Sequence, residues 1–380
     1  MPTLQAWSAF HFVDAAAPYL SKRFVEANWK FRQNVLQGQP EQRSRVKRAV
    51  AVTDGYLGEP LGLLYTARYF PPESKAKMEL LVADLKGALK NRIDNLEWMG
   101  AQTKVQAQDK LAKFNVNIGY SPLRRDYADL RIAATDLYGN VKRAQAHDWA
   151  WTAGRLQRPV DPNEWGRPPQ TVNAWYRANH NDITFPAAIL QPPFFDPDAD
   201  PAVNYGAIGG VIGHEISHGF DDQGRKVDGD GVLRDWWTAE DAAKFQVQAD
   251  RLGAQYDTYT PIAGDPSVKV QGKLTMGENI GDLGGLLMAL DAYKRSLNGR
   301  PAPVIDGLTG EQRVFLGWAQ VWRAKMRDEA TRNMVVTDPH SPAMFRVDGV
   351  VRNIDAWYDA FGVKPGDALY IPPEQRVRIW

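Results

Sequence analysis

The most constraining feature of the sequence is the pentapeptide His-Glu-Ile-Ser-His at positions 214–218. Residues four apart project from the same face of an α-helix, so His214 and His218 can bind one Zn²⁺ ion. Glu215 then projects beside the metal, where it can accept a proton from a water molecule. The alternative is two core histidines and an unrelated glutamate, a rare coincidence in a chain with six histidines. The motif therefore predicts a catalytic zinc centre on a helix over residues 204–220.

The composition excludes several classes of protein. With 380 residues, 44% of them hydrophobic, the chain can bury a substantial core. A net charge of +1 gives no electrostatic reason to expect a nucleic acid or an anionic membrane as partner. No apolar run is long enough for a membrane segment, and the first residues do not form a secretory signal. The absence of cysteine excludes disulfides, thiolate zinc ligands and a cysteine nucleophile.

The hydrophobic periodicity predicts a mainly helical chain with a small β-sheet, an α+β fold. Residues 206–213 contain only glycine, alanine, valine and isoleucine, which predicts that the zinc helix is buried and closely packed. A short strand is expected over residues 182–185, ended by Pro186. Ser74 is expected to cap the first of the other helices. These are predicted over residues 74–99, 104–114, 238–255, 275–297 and 310–329, followed by an irregular C-terminus.

Glu278 is the best candidate for a third zinc ligand, because a catalytic zinc usually has three protein ligands and an open position. No histidine continues the motif, whereas Glu278 begins a predicted helix and Asp282 lies one turn further on the same face. Asp282 could accept a hydrogen bond from a ligating imidazole and so fix its tautomer. A second interpretation remains open: Thr275 and Glu278 have the spacing of a capping box, in which the glutamate only satisfies backbone N–H groups.

Asp221 and Asp222 follow the motif helix and leave a similar choice open. Either carboxylate could orient His218 by accepting a hydrogen bond from its ring. Both could equally be solvated residues of a turn.

Eight segments of the sequence, in their order along the chain, resemble the neprilysin family of zinc metallopeptidases. The resemblance identifies the chain as the middle and C-terminal catalytic portion of a bacterial-type member, since the C-terminal cysteine of disulfide-bearing members is absent. It implies a thermolysin-like zinc peptidase catalytic lobe, with the second helical lobe largely missing. The segments are VNAWY (172–176), ITFPAAILQPPFF (183–195), GHEISHGFDDQGR (213–225), DWWT (235–238), GENIGD (277–282), DPHSP (338–342), FRV (345–347) and RIW (378–380).

The resemblance implies a catalytic centre that holds one Zn²⁺ per chain. Its protein ligands would be His214, His218 and Glu278, so the resemblance favours the ligand interpretation of Glu278 over the capping box. Glu215 would be the general base of peptide hydrolysis. Asp282 would complete the catalytic site by orienting a ligating imidazole.

The resemblance also implies how a substrate is held. Asn173 and Ala174 would bind the substrate backbone, with the peptide lying as an added strand along the edge of the sheet. His340 would donate to the oxyanion that forms on the scissile carbonyl, with Asp338 orienting or charging it. Arg346 would bind a substrate carbonyl or carboxylate. An apolar S1′ pocket would be lined by Ile189, Phe194, Val211, Val321 and Trp322.

The function that follows is a zinc-dependent endopeptidase that cuts peptides on the N-terminal side of large hydrophobic residues. The alternative is a zinc-retaining, peptide-binding fragment with little turnover, because the N-terminal lobe that would enclose the site is absent. By the same resemblance, residues 1–105 belong to the helical scaffold of the catalytic lobe, 106–136 to the smaller helical domain and 137–380 to the zinc peptidase domain. The expected partners are peptide substrates and the missing N-terminal lobe, and the expected state is an extracytoplasmic (periplasmic or secreted) monomer.

Overall fold

A computed structural model describes all 380 residues of the chain. Fourteen α-helices and one small sheet confirm the predicted mainly helical α+β fold. No helix is both long and apolar enough to cross a lipid bilayer. The helices are α1 (Pro2–Ala16), α2 (Lys22–Trp29), α3 (Arg45–Tyr69), α4 (Pro72–Asn95), α5 (Ala101–Ala112), α6 (Leu137–Gly154), α7 (Pro201–Asn204), α8 (Gly210–Ser217), α9 (Ala239–Tyr256), α10 (Met276–Ser296), α11 (Gly310–Val321), α12 (Asp328–Thr337), α13 (Ala343–Val351) and α14 (Asp355–Phe361).

A single hydrophobic core unites the chain from α4 onward. Its 52 buried residues begin at Met78 and end at Trp380, so distant parts of the sequence share one interior. Helices α1 to α3 contribute no residue to this core. Large apolar side chains of α1 face solvent instead, with Trp7 62% and Phe10 65% exposed.

The sheet provides an open edge beside the zinc motif. In it, β3 is the central strand, parallel to β1 with Asn115 opposite Asp182 and antiparallel to β2 with Trp175 opposite Thr184. The buried strand β3 confirms the prediction at residues 182–185. Because β2 pairs on one side only, its other side is free to accept an extended peptide. The strands are β1 (Asn115–Gly119), β2 (Trp175–Arg177) and β3 (Asp182–Pro186).

The motif helix is longer at its start and shorter at its end than the predicted 204–220. It runs from α7 through one wider turn, Tyr205–Gly209, into α8 and ends at Ser217. Its glycines permit close packing against α10, as the sequence predicts. A β-carbon added at Gly213 would lie 2.8 Å from Cα of Gly285, so the two helix backbones are in direct contact.

The predicted capping role of Ser74 is wrong. Pro71 is the N-cap of α4 and Pro72 its first helical residue, while Ser74 is buried inside the first turn. Proline is favoured at this position because its fixed φ already suits a helix. The helix also ends before the predicted residue 99, since the backbone turns extended at Leu96.

The predicted helix over 310–329 is too long: α11 ends at Val321, residues 322–327 are not helical, and α12 begins at Asp328. At the end of α11, the ring of Trp322 lies 3.7 Å from the guanidinium of Arg346. The C-terminus is also more regular than expected, because α13 and α14 form there. The helices predicted over 104–114, 238–255 and 275–297 match α5, α9 and α10 to within three residues at each end.

Candidate active site

Three side chains from two helices converge at one point. His214 and His218 come from the end of α8, and Glu278 comes from the first turn of α10. The two Nε2 atoms are 3.0 Å apart, and Oε2 of Glu278 lies 3.1 Å from the first and 3.7 Å from the second. All three atoms lie within 4.8 Å of one another, the spacing of ligands around one metal ion.

The other nitrogen of each imidazole is held by a buried carboxylate. Nδ1 of His214 lies 2.8 Å from Asp282, and Nδ1 of His218 lies 2.7 Å from Asp221. A carboxylate accepts here, so this hydrogen-bond pattern assigns the ring proton to Nδ1 and leaves the Nε2 lone pairs facing each other. Asp222 accepts from Gln223 and does not reach His218, so only one of the two candidate aspartates contacts the ring.

The arrangement fits a divalent cation. Two Nε2 lone pairs and a carboxylate repel one another unless a positive charge lies between them. Oε2 of Glu278 is buried, and its nearest polar neighbours are the Nε2 atoms of His214 and His340, 3.1 and 3.2 Å away. Imidazole nitrogens and a carboxylate oxygen are ligands that Zn²⁺ accepts in catalytic sites.

Protons compete with a metal ion for the position between the histidine Nε2 atoms and Glu278. Burial alone would lower the pKa of His214, but hydrogen bonds to Asp282 and Glu278 outweigh it and raise the pKa to about 10. Burial alone would raise the pKa of Glu278, but the imidazoles of His214 and His340 hold it well below its usual range. The metal-free site therefore carries protons that a metal ion must displace.

The capping-box interpretation of Glu278 is not realised. Thr275 is the N-cap of α10, but its side chain caps no backbone N–H; its hydroxyl donates to the carbonyl of Gln271 and accepts from Asn279. The carboxylate of Glu278 instead faces the two motif histidines. The side-chain contacts of Thr275 and Glu278 thus decide between two interpretations that sequence spacing leaves open.

Glu215 stands between the two histidines in the sequence. Its side chain is buried and lines the same cleft. Burial raises the pKa of its carboxyl, while the neighbouring His214 and His218 lower it in part. A carboxyl whose pKa lies above its ordinary value can accept a proton and return it near neutral pH.

His340 is a third histidine that contacts the carboxylate of Glu278. Its Nε2 is 3.2 Å from Oε2 of Glu278, and its Nδ1 is 2.7 Å from Asp338, which also accepts from the backbone N–H of His340. Burial alone would lower the pKa of His340, but the hydrogen bond and charge of Glu278 raise it. The ring is 41% exposed, so it can reach a molecule in the cleft.

Arg346 lines the cleft, and its guanidinium is also paired within the protein. The buried guanidinium donates to both oxygens of Asp282, at 2.7 and 2.6 Å, and its carbon lies 3.7 Å from the Trp322 ring centre. Sequence reasoning missed this pairing, and no local signal indicates it because the partners are 64 positions apart. The pair joins α13 to α10 directly behind His214.

A cleft of about 580 Å³ opens onto the motif. Asn173 and Ala174, immediately before the edge strand β2, form one part of its wall. Of the five expected S1′ residues, Val321 is absent from the lining and packs partly buried against the core. Further side chains that the sequence did not predict also line the cleft. The apolar lining includes Ile189, Phe194, Val211 and Trp322, and among the unpredicted residues Trp318, Met326 and Met334.

Comparison with known proteins identifies one family for both halves of the chain. A family model described as peptidase family M13 matches residues 173–377, and a second model of the same description matches residues 1–121. Neutral endopeptidase of Lactobacillus helveticus is 35% identical over 99% of this chain and 56% of its own length. Human neprilysin is 35% identical over 99% of this chain and 51% of its own length.

Solved structures give the same result. The crystal structure of Mycobacterium tuberculosis zinc metalloprotease ZMP1 with an inhibitor matches with a TM-score of 0.95 and 50% identity, over 98% of this chain and 57% of that one. PepO from Lactobacillus rhamnosis matches with a TM-score of 0.88 and 35% identity, over 97% and 56%. The chain thus spans about half the length of the relatives it matches.

Proposed function

The chain belongs to peptidase family M13, and from this premise we propose that it is a zinc-dependent endopeptidase. The observation that carries the proposal is the convergence of His214, His218 and Glu278 beside Glu215 in the wall of a cleft. One Zn²⁺ per chain would be held by the first three residues. When bound, zinc supplies a Lewis acid for the scissile carbonyl and lowers the pKa of a water molecule.

Glu215 takes the proton of the attacking water and passes it to the leaving amine. Two features support this role. The residue lies between the two motif histidines and lines the cleft, and burial raises the pKa of its carboxyl toward the range in which proton transfer works in both directions.

His340 donates a hydrogen bond to the oxyanion that develops on the scissile carbonyl. Its half-exposed ring and its position 3.2 Å from Glu278 support this role. Asp338 accepts from Nδ1, which keeps the proton-bearing Nε2 directed toward the cleft.

The substrate is a peptide bound in extended form. The free side of β2 and the adjoining residues Asn173 and Ala174 support backbone pairing with such a chain. The apolar lining around Phe194 and Trp322 supports a large hydrophobic residue on the C-terminal side of the cleaved bond. Arg346 can still donate to a substrate oxygen, because Asp282 uses only part of its N–H groups.

A second candidate function is a zinc-retaining peptide-binding fragment with little turnover. It is favoured by the exposed apolar side chains of α1, such as Trp7 and Phe10, which can pack against another protein surface. A peptide in a cleft that is not fully enclosed lacks the orientation that hydrolysis requires.

Internally quenched peptides separate the two candidates. One series carries Phe or Leu after the bond to be cut, and a matched series carries Asp there. For the peptidase we expect turnover of the first series that is lost on chelation and restored by about one equivalent of zinc per chain. Tight binding of zinc and peptide without turnover would support the fragment and contradict the peptidase.

Three further features belong to the same proposal. We expect the division at residues 105 and 136 into scaffold, smaller-domain segment and peptidase domain, which hydrogen exchange measured along the chain would test. We expect an extracytoplasmic location, which cell fractionation would test. We expect a monomer, which sedimentation would test.

A further inference from the structure

We propose that Lys110 is a positioning residue for the zinc ligand His218. It acts through the loop that follows the motif helix, residues 219–234. The proposal rests on the proposed function, because it assigns a role at the same metal centre. Lys110 lies on α5, more than a hundred positions before the motif, and none of its contacts is with a metal ligand.

Lys110 is a lysine with only 1% of its surface exposed. Its ammonium donates to two backbone carbonyls of the loop, those of Gly224 at 2.8 Å and Val227 at 2.6 Å. Its Nζ also lies within 5.6 to 5.7 Å of the centres of three aromatic rings, those of Tyr176, Phe220 and Trp236. Cations over aromatic faces are stabilised electrostatically, which offsets part of the cost of burying this charge.

Burying this ammonium is costly, and the cost appears as a lowered pKa. Burial lowers the pKa of Lys110 to about 7, while the charges of Asp221 and Asp228 raise it in part. A buried polar group of this kind is normally hydrogen-bonded, and here both of its protein acceptors are loop carbonyls. The contacts therefore hold the loop as much as they hold the lysine.

A short chain of hydrogen bonds leads from this loop to the metal ligand. The residue whose carbonyl Lys110 binds, Gly224, donates its own N–H to Oδ1 of Asp221 at 2.6 Å. Oδ2 of the same carboxylate lies 2.7 Å from Nδ1 of His218. The path from Lys110 to the imidazole of His218 therefore passes only through Gly224 and the carboxylate of Asp221.

The loop also packs directly on the end of the motif helix. A β-carbon at Gly224 would lie 1.7 Å from the carbonyl oxygen of His218, so only glycine fits at this contact. A shift of Gly224 would therefore move both the carboxylate that orients His218 and the backbone on which His218 stands. Outer partners of this kind set the orientation of a metal ligand, and their loss weakens metal binding.

Lys113 provides a matched control. It follows Lys110 by three residues and binds the same loop through Asp230 at 3.0 Å, but its side chain is 40% exposed. Replacing either lysine by methionine removes one cation that contacts the loop. Only Lys110 connects to Asp221, so only its loss should reach the metal.

The test measures the zinc dissociation constant by chelator competition for wild type, K110M, D221A, the double variant and K113M. We expect K110M to weaken zinc binding ~10-fold and D221A ~10- to 100-fold, with K113M within about 2-fold of wild type. In the double variant, the further loss beyond D221A should be clearly smaller than the loss in K110M alone, because the two changes share one hydrogen-bond connection. Zinc affinity unchanged in K110M, or losses that multiply in the double variant, would overturn the proposal.

Circular dichroism and thermal melting establish that each variant folds. If K110M does not fold, K110Q replaces it and the same two outcomes apply, since glutamine removes the charge while keeping a polar side chain. A wild-type chain that binds no zinc would contradict the proposed function at the first titration. A wild-type chain that binds zinc without cutting peptides contradicts the proposed function alone, because the role of Lys110 is measured by zinc affinity.

Discussion

Asp282 accepts two hydrogen bonds from the guanidinium of Arg346, at 2.7 and 2.6 Å, in a fully buried pair between α10 and α13. Oδ1 of the same carboxylate lies 2.8 Å from Nδ1 of His214. Burial alone would raise the pKa of Asp282, but the charge and hydrogen bonds of Arg346 lower it, so the carboxylate stays ionised. One carboxylate therefore contacts both the imidazole of His214 and the guanidinium of Arg346 in the cleft wall.

Replacing this carboxylate should weaken both the fold and the metal site. In D282N the buried Arg346 loses its counter-charge, which we expect to cost ~3–5 kcal/mol in the free energy of unfolding. The ring of His214 loses its charged acceptor and keeps at most a neutral amide oxygen, so zinc affinity should fall ~10- to 100-fold. Denaturant unfolding and chelator competition measure the two effects.

The control is D291N on the same helix, where Asp291 pairs with Arg92 at a partly exposed site. That change should cost at most ~1 kcal/mol and leave zinc binding intact. Zinc affinity in D282N equal to wild type would show that the contact with His214 does not orient a ligand.

Zinc affinity should rise with pH. Because the pKa of His214 in the metal-free protein is raised to about 10, the ring carries a proton at neutral pH that zinc must displace. We expect the zinc association constant to increase nearly tenfold per pH unit for each proton displaced, between about pH 7 and 9. Calorimetry in buffers of different ionisation heat counts the released protons.

The same shift affects the stability of the metal-free chain in the opposite direction. A pKa raised above the ordinary 6.5 stabilises the fold fully below that pH, and the contribution is lost as the pH rises through about 10. Zinc binding without proton release at neutral pH would contradict the protonated state of His214.

Removing the imidazole of His340 should slow catalysis without releasing the metal. We expect H340Q to lower kcat ~100-fold, because a hydrogen bond to the developing oxyanion matters most in the transition state. KM for a quenched peptide and the zinc dissociation constant should change little. The control H11Q removes an exposed histidine of α1 and should leave all three quantities unchanged. A rise in KM with kcat unchanged would assign His340 to substrate binding instead.

The contact between α8 and α10 should be sensitive to a single methyl group. A β-carbon at Gly285 would lie 2.4 Å from the carbonyl oxygen of Gly210, so G285A must push the helices apart. We expect a loss of ~1–3 kcal/mol in the free energy of unfolding and weaker zinc binding, because the two helices carry the three ligands. Thermal and denaturant unfolding provide the measurement.

Gly55, inside α3, has open space where a β-carbon would be, so G55A is the matched control. It should be neutral or stabilise by ~0.5–1 kcal/mol, since alanine favours a helix. Equal effects of the two substitutions would mean that the helices do not depend on close contact at Gly285.

Local sequence patterns sufficed for the parts of the site that depend on local geometry. The spacing of His214 and His218 on one helix, and the glycines before them, follow from helical periodicity and appear as predicted. Glu278 was a different case, because spacing alone left the capping box open. Only the packing of α10 on α8 decides where that carboxylate points.

The features that were missed depend on contacts between distant segments. The pairing of Asp282 with Arg346 and the contact of Lys110 with Gly224 join residues 64 and 114 positions apart, and no periodicity encodes them. At the break after α11, Trp322 lies against Arg346, which is another contact between separate segments of the sequence. Local helical preference does not encode such long-range contacts.

The most direct test of the proposed chemistry is the peptidase activity of E215Q with zinc bound. Glutamine keeps the size of Glu215 but cannot take a proton, so we expect kcat to fall ~100- to 10,000-fold while one zinc per chain is retained. The matched variant E311Q, at a partly exposed pair with Lys294, should retain wild-type activity. Full activity in zinc-loaded E215Q would contradict the assignment of Glu215 as the general base.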